Sequence, residues 1–340
     1  MDKRIDIIVG IAVFFMILAN FSPYFINEPS FIFRLFYSIV APIFIIFSNF
    51  TITYNYYFKK YSYFYYFKRG LYIIMWAIFV DCFIYKIFPF NSFGVLYIIG
   101  FSIIINSFFL KLSPFLIFII SNFIFILTPF LHIKLGYNKT PFEANLFDFN
   151  SFYFILKNYS LKHFLIDGYF PIFPFLGIAL TGIFFFDLYY NKREIFFKKS
   201  LFLISLLIFL FLSLKLYNIK DMLFIRGGSA GLFYPPTIYF IYWSLSLVFV
   251  LFYLLLNIPD SILNNNKFFI FLTNLGKNAL FIYVFHLFFA EYFFKFIENF
   301  FKIHNTKFSL FYLILFYILF LIILNYLINF LSILKKINEI

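Results

Sequence analysis

The stretch His163–Gly182, HFLIDGYFPIFPFLGIALTG, decides how the chain is read. It joins a polar loop to a long apolar run, so the chain turns here from the membrane surface back into the bilayer. A His and an Asp stand four residues apart, followed by Gly168, Pro171 and Pro174 and then a run containing Gly177 and Gly182. A helix over Lys162–Asp167 puts His163 and Asp167 on one face, where the carboxylate can orient the imidazole. The two prolines are expected to deform the entering helix, and backbone freed in that way is tolerated only where protein or a cavity covers it. On this reading the stretch is a site. The alternative is an interfacial His–Asp pair followed by a helix-starting proline.

Working outward, composition sets the class. Of 340 residues 64% are hydrophobic and 12% charged, with a mean hydropathy of +0.96. Repeated apolar runs of roughly 20 residues are the signature of helices that span a bilayer. The expected fold class is all-α, a polytopic membrane protein with about ten transmembrane helices in a single multi-pass domain over residues 1–340. The spans read as Ile5–Tyr24, Phe31–Tyr54, Gly70–Phe88, Phe93–Leu110, Pro114–Leu131, Tyr169–Tyr189, Ser200–Leu216, Phe233–Leu256, Phe271–Phe294 and Phe308–Leu334. No ten-residue alternation suggests a barrel. Sixty-five Phe and 28 Tyr reflect a compositional bias shared with Ile, Asn and Lys, so no single aromatic marks a cofactor site. The net charge of +13 is spread over short loops between apolar runs, which fits an anionic bilayer surface as partner and no nucleic acid. Cys82, the single cysteine, lies in an apolar run and supports neither a disulfide frame nor a multi-Cys metal site. The first apolar run has no small-residue cleavage site and reads as a helix, not a signal peptide.

Short-loop Lys and Arg set the expected orientation. Lys3–Arg4, Lys59–Lys60, Lys68–Arg69, Lys192–Arg193, Lys198–Lys199 and Lys335–Lys336 fall on one side, which puts both termini in the cytoplasm of a cell-membrane protein. The long loop His132–Asp167 is then external, with Ser151–Leu165 expected as an interfacial helix. A second external loop, Ile219–Gly231, holds Asp221, Arg226 and GGSAG. Its glycines lack P-loop spacing, and it reads as a flexible connector. Tyr234-Pro235-Pro236 is expected to form the first turn of the next helix.

Polar residues inside spans are costly and default to functional hypotheses. In the first span Asp6, Gly10 and Asn20 fall within about 40° of one line, with Asn20 about 21 Å beyond Asp6. That helix is a candidate lining for a path across the bilayer. The alternative has Asp6 capping the helix start and Asn20 bonding a neighbour. In the ninth span Asn274, Asn278 and His286 share an i+4 ladder, with Lys277 one residue off it and placed to meet a phosphate. The alternative for His286 is a hydrogen-bonding strut. Glu291, Asp81 and Asp187 read as structural, and His132 and His304 as loop residues. No His/Glu/Asp spacing matches a metal motif, so no metal is expected.

Six segments in order resemble a known family, the heparan-α-glucosaminide N-acetyltransferase-like catalytic domain, part of a wider group of transmembrane acyltransferases. RIDIIVGIAVFFMILAN (Arg4–Asn20) resembles its first-helix signature, and APIFIIFSN (Ala41–Asn49) its small-Pro-Phe-Phe-Gly segment. FGVLYIIG (Phe93–Gly100) is similar to a later helix opening, and GYFPIFPFLGIALTG to the Phe-Pro-x-x-Pro-Trp-x-Gly segment. FYPPTIYF (Phe233–Phe240) resembles its Tyr-Pro-Pro segment, and LGKNALFIYVFHLFF (Leu275–Phe289) its Gly-Arg-x-x-Leu-Phe-x-Tyr-x-x-His segment. Departures are Val9 for the family's Arg, Phe175 for Trp, and Ala19-Asn20 where prokaryotic relatives usually carry Asp-His. The animal enzymes carry Asn at that position with a His further along, and residues 21–36 here contain none.

The resemblance implies acyl transfer, with acetyl-CoA or another acyl-CoA as co-substrate and a small-molecule or glycan acceptor carrying a hydroxyl or amine. On the residues above, His163 is the expected base oriented by Asp167, with His286 as the other available imidazole. Asn20 or Asn278 is the oxyanion or carbonyl donor, and Lys277 with Asn278 and Asp6 stands at the CoA end. The competing expectation is a non-catalytic relative, a transporter or lipid- or glycan-handling membrane protein.

Overall fold

A bilayer offers no water to satisfy backbone N–H and C=O groups, and this chain answers with helices. A computed structural model describes residues 2–26, 28–139, 145–148, 150, 153, 160–226, 229–301 and 310–338. The main helices are α1 (Lys3–Phe21), α2 (Phe31–Tyr54), α3 (Tyr63–Phe79), α4 (Val95–Phe109), α5 (Pro114–Leu135) and α6 (Ile172–Tyr190). They continue as α7 (Lys199–Asn218), α8 (Ile238–Leu256), α9 (Lys267–Lys277), α10 (Ala279–Phe301) and α11 (Leu310–Asn338). Eight helices among the described residues are long and apolar enough to cross a membrane: α1, α2, α5, α6, α7, α8, α10 and α11. The remaining two expected spans are α4, with 15 residues, and α3, with 17 residues continued by a wide turn over Val80–Tyr85. The described residues hold no strand. One isolated antiparallel bridge joins Ile87 to Asn145, and Leu146 N donates to Lys86 O beside it (2.9 Å).

Two local expectations change. The ninth span is not continuous, because α9 ends at Lys277 and α10 starts at Ala279, with Asn278 (φ −106°, ψ 17°) as the break. The i+4 ladder through Asn274, Asn278 and His286 is therefore interrupted at its middle rung. Pro235 and Pro236 precede α8, which begins at Ile238, and do not fill its first turn. Pro171 and Pro174 act as expected, with Pro171 capping α6 and Phe173 inside it kept extended (φ −97°, ψ 118°). Most of the expected interfacial helix over Ser151–Leu165 lies outside the described residues, as does His304.

Packing divides the chain into two compact units, one of Ala41–Arg226 with Gly231–Leu254 and one of Asp2–Val40, Gly227–Ala230 and Leu255–Ile340. In the first unit polar side chains join α2 to α4. Asn49 Nδ2 donates to Ser102 Oγ (3.0 Å) and Asn106 Nδ2 donates to Asn49 Oδ1 (2.9 Å). Interhelical bonds of this kind stabilise apolar bundles where burial alone gives no drive. In the second unit α1 and α9 meet backbone to backbone. A Cβ on Gly10 would fall on the Leu272 carbonyl, and one on Gly276 would fall on the Asp6 carbonyl. Arg4 closes the end of this pair: its side chain donates to the Leu255 and Ile258 carbonyls (3.1 and 2.8 Å) and pairs with Asp260 (2.7 Å).

The α1–α9 approach generates a stability prediction. Gly276→Ala forces the two backbones apart, at a cost of about 1–3 kcal/mol from overpacking. Thermal unfolding in detergent reads this as a lower Tm. A variant that melts with the wild type would show that the close approach contributes nothing.

Candidate active site

His163 and Asp167 meet because the backbone between them is helical. Ser160–Lys162 leads into a wider turn over His163–Asp167, closed by Gly168 N donating to His163 O (2.8 Å). The two side chains then stand one turn apart, with Nδ1 3.0 Å from Asp167 Oδ1. A carboxylate only accepts, so Nδ1 carries the proton and the neutral ring keeps its lone pair on Nε2. That Nε2 is buried and has no hydrogen-bond partner, and His163 as a whole is 7% exposed. Lys162 Nζ lies 3.4 Å from Asp167 Oδ2 and donates to Asn138 Oδ1 (3.2 Å). The result is an oriented imidazole with an open basic nitrogen.

The turn is held by a residue the sequence reading passed over. Arg226, in the loop expected to be a flexible connector, is 2% exposed. Its Nη1 donates to Asp167 O (2.7 Å) and Gly168 O (3.0 Å), its Nη2 to Asn138 O (2.5 Å) and its Nε to Lys139 O (3.2 Å). The rings of Tyr137, Tyr169, Phe224 and Tyr234 surround the guanidinium at 4.9–5.9 Å, so four carbonyl dipoles and several π faces replace its water. The connector reading is corrected accordingly. The cue in sequence was an arginine standing between Phe224 and Phe233-Tyr234, beside glycines that drew the reading toward a connector. Arg226→Met leaves four carbonyls without their donor and is expected to destabilise the protein by on the order of 3 kcal/mol. A Tm unchanged by this substitution would remove the clamp from the argument.

A second loop supports the segment from the other side. Buried Asp81 accepts from Ser92 Oγ (2.6 Å) and Tyr97 Oη (2.7 Å), which fixes residues 88–94. Ser92 O and Phe93 O then accept from Tyr169 N (3.1 Å) and Phe170 N (2.9 Å). Asp81 thus ties this loop to the turn after α3, in keeping with a structural role. Asp187 accepts from Asn191 Nδ2 (2.8 Å), and Glu291 pairs with Lys295.

The other predicted residues belong to the second unit. His286 is fully buried, and its Nδ1 lies 2.8 Å from the Ile282 carbonyl, so Nδ1 is the protonated nitrogen. Its Nε2 accepts from Asn20 Nδ2 at 2.9 Å, and Asn20 Oδ1 faces Tyr37 Oη at 3.5 Å. Both ring nitrogens of His286 are engaged. Asp2 caps α1, accepting from Arg4 N (2.9 Å), so the capping alternative for Asp6 is overturned. Asp6 instead sits where α9 crosses α1, close enough to feel the charge of the exposed Lys277. Asn278 Nδ2 donates to Asn274 O (2.8 Å) and so helps end α9. His163 and Asp167 lie in one unit, and Asn20, His286, Lys277, Asn278 and Asp6 in the other. Among the described residues no three His, Cys, Asp or Glu side chains are grouped to hold a metal ion.

Burial alone would raise the Asp167 carboxyl, but the hydrogen bond from His163 and the positive charge of Lys162 help to outweigh it. They hold the carboxyl below its ordinary 3.8. A depressed carboxylate stabilises the fold above its unfolded pKa, and that contribution is lost as pH falls through the folded value. Asp167→Asn is therefore expected to flatten the decline of Tm below about pH 4. Acid limbs that stay parallel in the two proteins would show that Asp167 makes no such contribution.

Comparison with known proteins bears on this geometry. The family model described as heparan-alpha-glucosaminide N-acetyltransferase, catalytic, matches residues 2–222. No curated protein and no solved structure matches the chain. The matched region covers well over half of the sequence and includes α1, the 88–94 loop and the whole His163–Gly182 stretch. A membrane-embedded helical chain with that match belongs to the heparan-alpha-glucosaminide N-acetyltransferase catalytic family.

Proposed function

We propose that this protein transfers an acetyl or other acyl group from cytoplasmic acyl-CoA to a hydroxyl or amine on an external or membrane-bound acceptor, with a sugar as the leading candidate. The observation that carries the proposal is the His163–Asp167 dyad, whose open Nε2 lies buried beside an ionised, paired carboxylate. Acyl transfer needs a base for the acceptor's proton, donors for the tetrahedral oxyanion and a hold on the CoA phosphates. His163 is the base, with Asp167 fixing its tautomer and supporting the imidazolium that forms. The proton taken from the acceptor passes on to the departing thiolate as the carbon–sulfur bond breaks. In the second unit Lys277, Asn278 and Asp6 are assigned to the CoA end, and the Asn20 amide to the carbonyl or oxyanion, with His286 orienting it. Both termini lie in the cytoplasm of a cell-membrane protein.

A second reading keeps the fold without the chemistry, as a transporter or a lipid- or glycan-handling protein. The observation favouring it is that Ala19 and Asn20 stand at the family's Asp-His positions, with Asn20 occupying the only basic nitrogen of His286. The two readings part on ligand binding. Tight binding stabilises the folded state by RT ln(1 + [L]/Kd), about 2.7 kcal/mol at a hundredfold excess over Kd. Acyl transfer predicts a saturable rise in Tm with acetyl-CoA that free ATP does not reproduce and that Lys277→Ala weakens. It also predicts that His163→Ala lowers turnover by about 10²–10⁴-fold. Absence of any acetyl-CoA shift would favour the non-catalytic reading, and unimpaired transfer by His163→Ala would remove His163 as the base.

A further inference from the structure

The dyad is not the only buried polar group here that lacks a partner. The segment His163–Phe170 runs beside residues 88–94 through the two backbone bonds at Ser92 and Phe93. The Phe93 and Phe164 rings meet edge to face at 4.8 Å, and a Cβ on Gly168 would strike the Phe93 side chain. Phe90 (φ 65°) and Phe93 (φ 43°) both adopt the left-handed region that bulky residues rarely occupy, and strain of this kind concentrates at ligand sites. Between them Asn91 is 4% exposed, and neither its Nδ2 nor its Oδ1 has a partner. A third open atom, His132 Nε2, lies at the end of α5, close enough to feel the charge of Asp167. Buried polar atoms are nearly always hydrogen-bonded, so orphans on these adjoining segments call for an occupant.

The neighbours that are already satisfied say what the occupant must be. Asp167 Oδ1 is taken up by His163, Arg226 by four carbonyls, and Asp81 is bonded by two hydroxyls, while Asp167 Oδ2 has the Lys162 ammonium at 3.4 Å and no hydrogen bond. The open atoms are therefore mostly acceptors, His163 Nε2, His132 Nε2, Asn91 Oδ1 and Asp167 Oδ2, with Asn91 Nδ2 as a donor beside them. A carboxamide both donates and accepts, and a neutral imidazole nitrogen accepts. An anion brings acceptors only, so it would face the Nε2 lone pair and leave Asn91 Oδ1 unpaired. Neighbouring hydroxyls, or an amide, match both edges.

We propose that Asn91 and His163 together form the acceptor subsite, and that it selects a group able to donate and accept hydrogen bonds at once. This rests on the acyl-transfer reading only for what His163 does next. Asn91 holds the polar group adjacent to the reacting hydroxyl or amine, whose proton passes to His163 Nε2 as its oxygen or nitrogen bonds the acyl carbon. The thioester carbon–sulfur bond breaks in the same exchange, and the thiolate leaves with that proton as a thiol.

The test uses the purified full chain and three probes, with binding followed by thermal shift and titration calorimetry. Methyl α-D-glucopyranoside offers neighbouring hydroxyls, N-methylacetamide an amide, and inorganic phosphate an anion. Saturable binding of one neutral probe, none of phosphate, and a Kd weakened about tenfold or more in Asn91→Leu is expected. Asn91→Leu removes an unsatisfied buried amide, so its ligand-free Tm is expected to hold or rise, which separates lost binding from lost folding. Asn91→Asp, equal in shape but without the donor edge, is expected to weaken binding as well. Wild-type protein that binds neither neutral probe overturns the proposal, as does Asn91→Leu that binds like wild type or phosphate that binds as well as the neutral probes. Acetyl-CoA shifts are run in parallel. Their absence would remove acyl transfer, while the subsite stands or falls on the neutral probes alone.

Discussion

Hydrocarbon solvates no peptide group, and that constraint governs this chain from end to end. Helices meet it locally, since each carbonyl finds an amide four residues on. It becomes a problem where the chain leaves helical geometry, and at two such places, residues 138–139 and 167–168, a single side chain resolves it. Arg226 carries five N–H donors in a rigid fork, and four bonds from that fork go to four carbonyls that have left the helical pattern. Desolvating a guanidinium costs several kcal/mol. Charge-assisted bonds of about 1.5–3 kcal/mol each offset that cost only when several form together. A lysine there would offer a point charge without the fork, which is why the two are not interchangeable at such a site. The loops that Arg226 ties down are the ones that present His163.

Close backbone approach plays the corresponding role in the second unit. Between helices in lipid, burial of apolar surface gives no net drive, so association depends on van der Waals fit and polar bonds. Gly10 and Gly276 allow α1 and α9 into contact, and the Asn20–His286 bond links α1 to α10. Ending α9 at Asn278 lets an 11-residue helix lie against α1 while α10 starts afresh.

The sequence made the spans legible because apolar length is a direct consequence of bilayer thickness. The His163–Asp167 pair was legible for an equally local reason, as i and i+4 on a helix share a face whatever surrounds them. The break at Asn278 was not, because Gly276-Lys277-Asn278 is a short polar interruption between two apolar runs and hydropathy carries no information on backbone direction. Asn20 and His286 were each visible as polar residues in spans, but their bond joins positions 266 residues apart and depends on packing. Arg226 escaped because its partners are carbonyls, which every residue has. No complementary side chain announces such a bond. Asn91 escaped for the opposite reason, since its distinguishing feature is a lack of partners that only the folded chain reveals.

The two buried imidazoles show how geometry separates a strut from a base. Each has one nitrogen fixed by an acceptor, Ile282 O for His286 and Asp167 Oδ1 for His163, so each keeps a lone pair on Nε2. At His286 that lone pair is spent on the Asn20 amide. Any proton transfer there must first break a bond that also links two helices. At His163 the lone pair is unspent, and the partner of its other nitrogen is an ionised carboxylate, which stabilises the imidazolium as it forms. A carbonyl at His286 offers a dipole in place of a full charge. A base has to gain a proton without dismantling its surroundings, a condition that the open Nε2 of His163 meets and the engaged Nε2 of His286 does not.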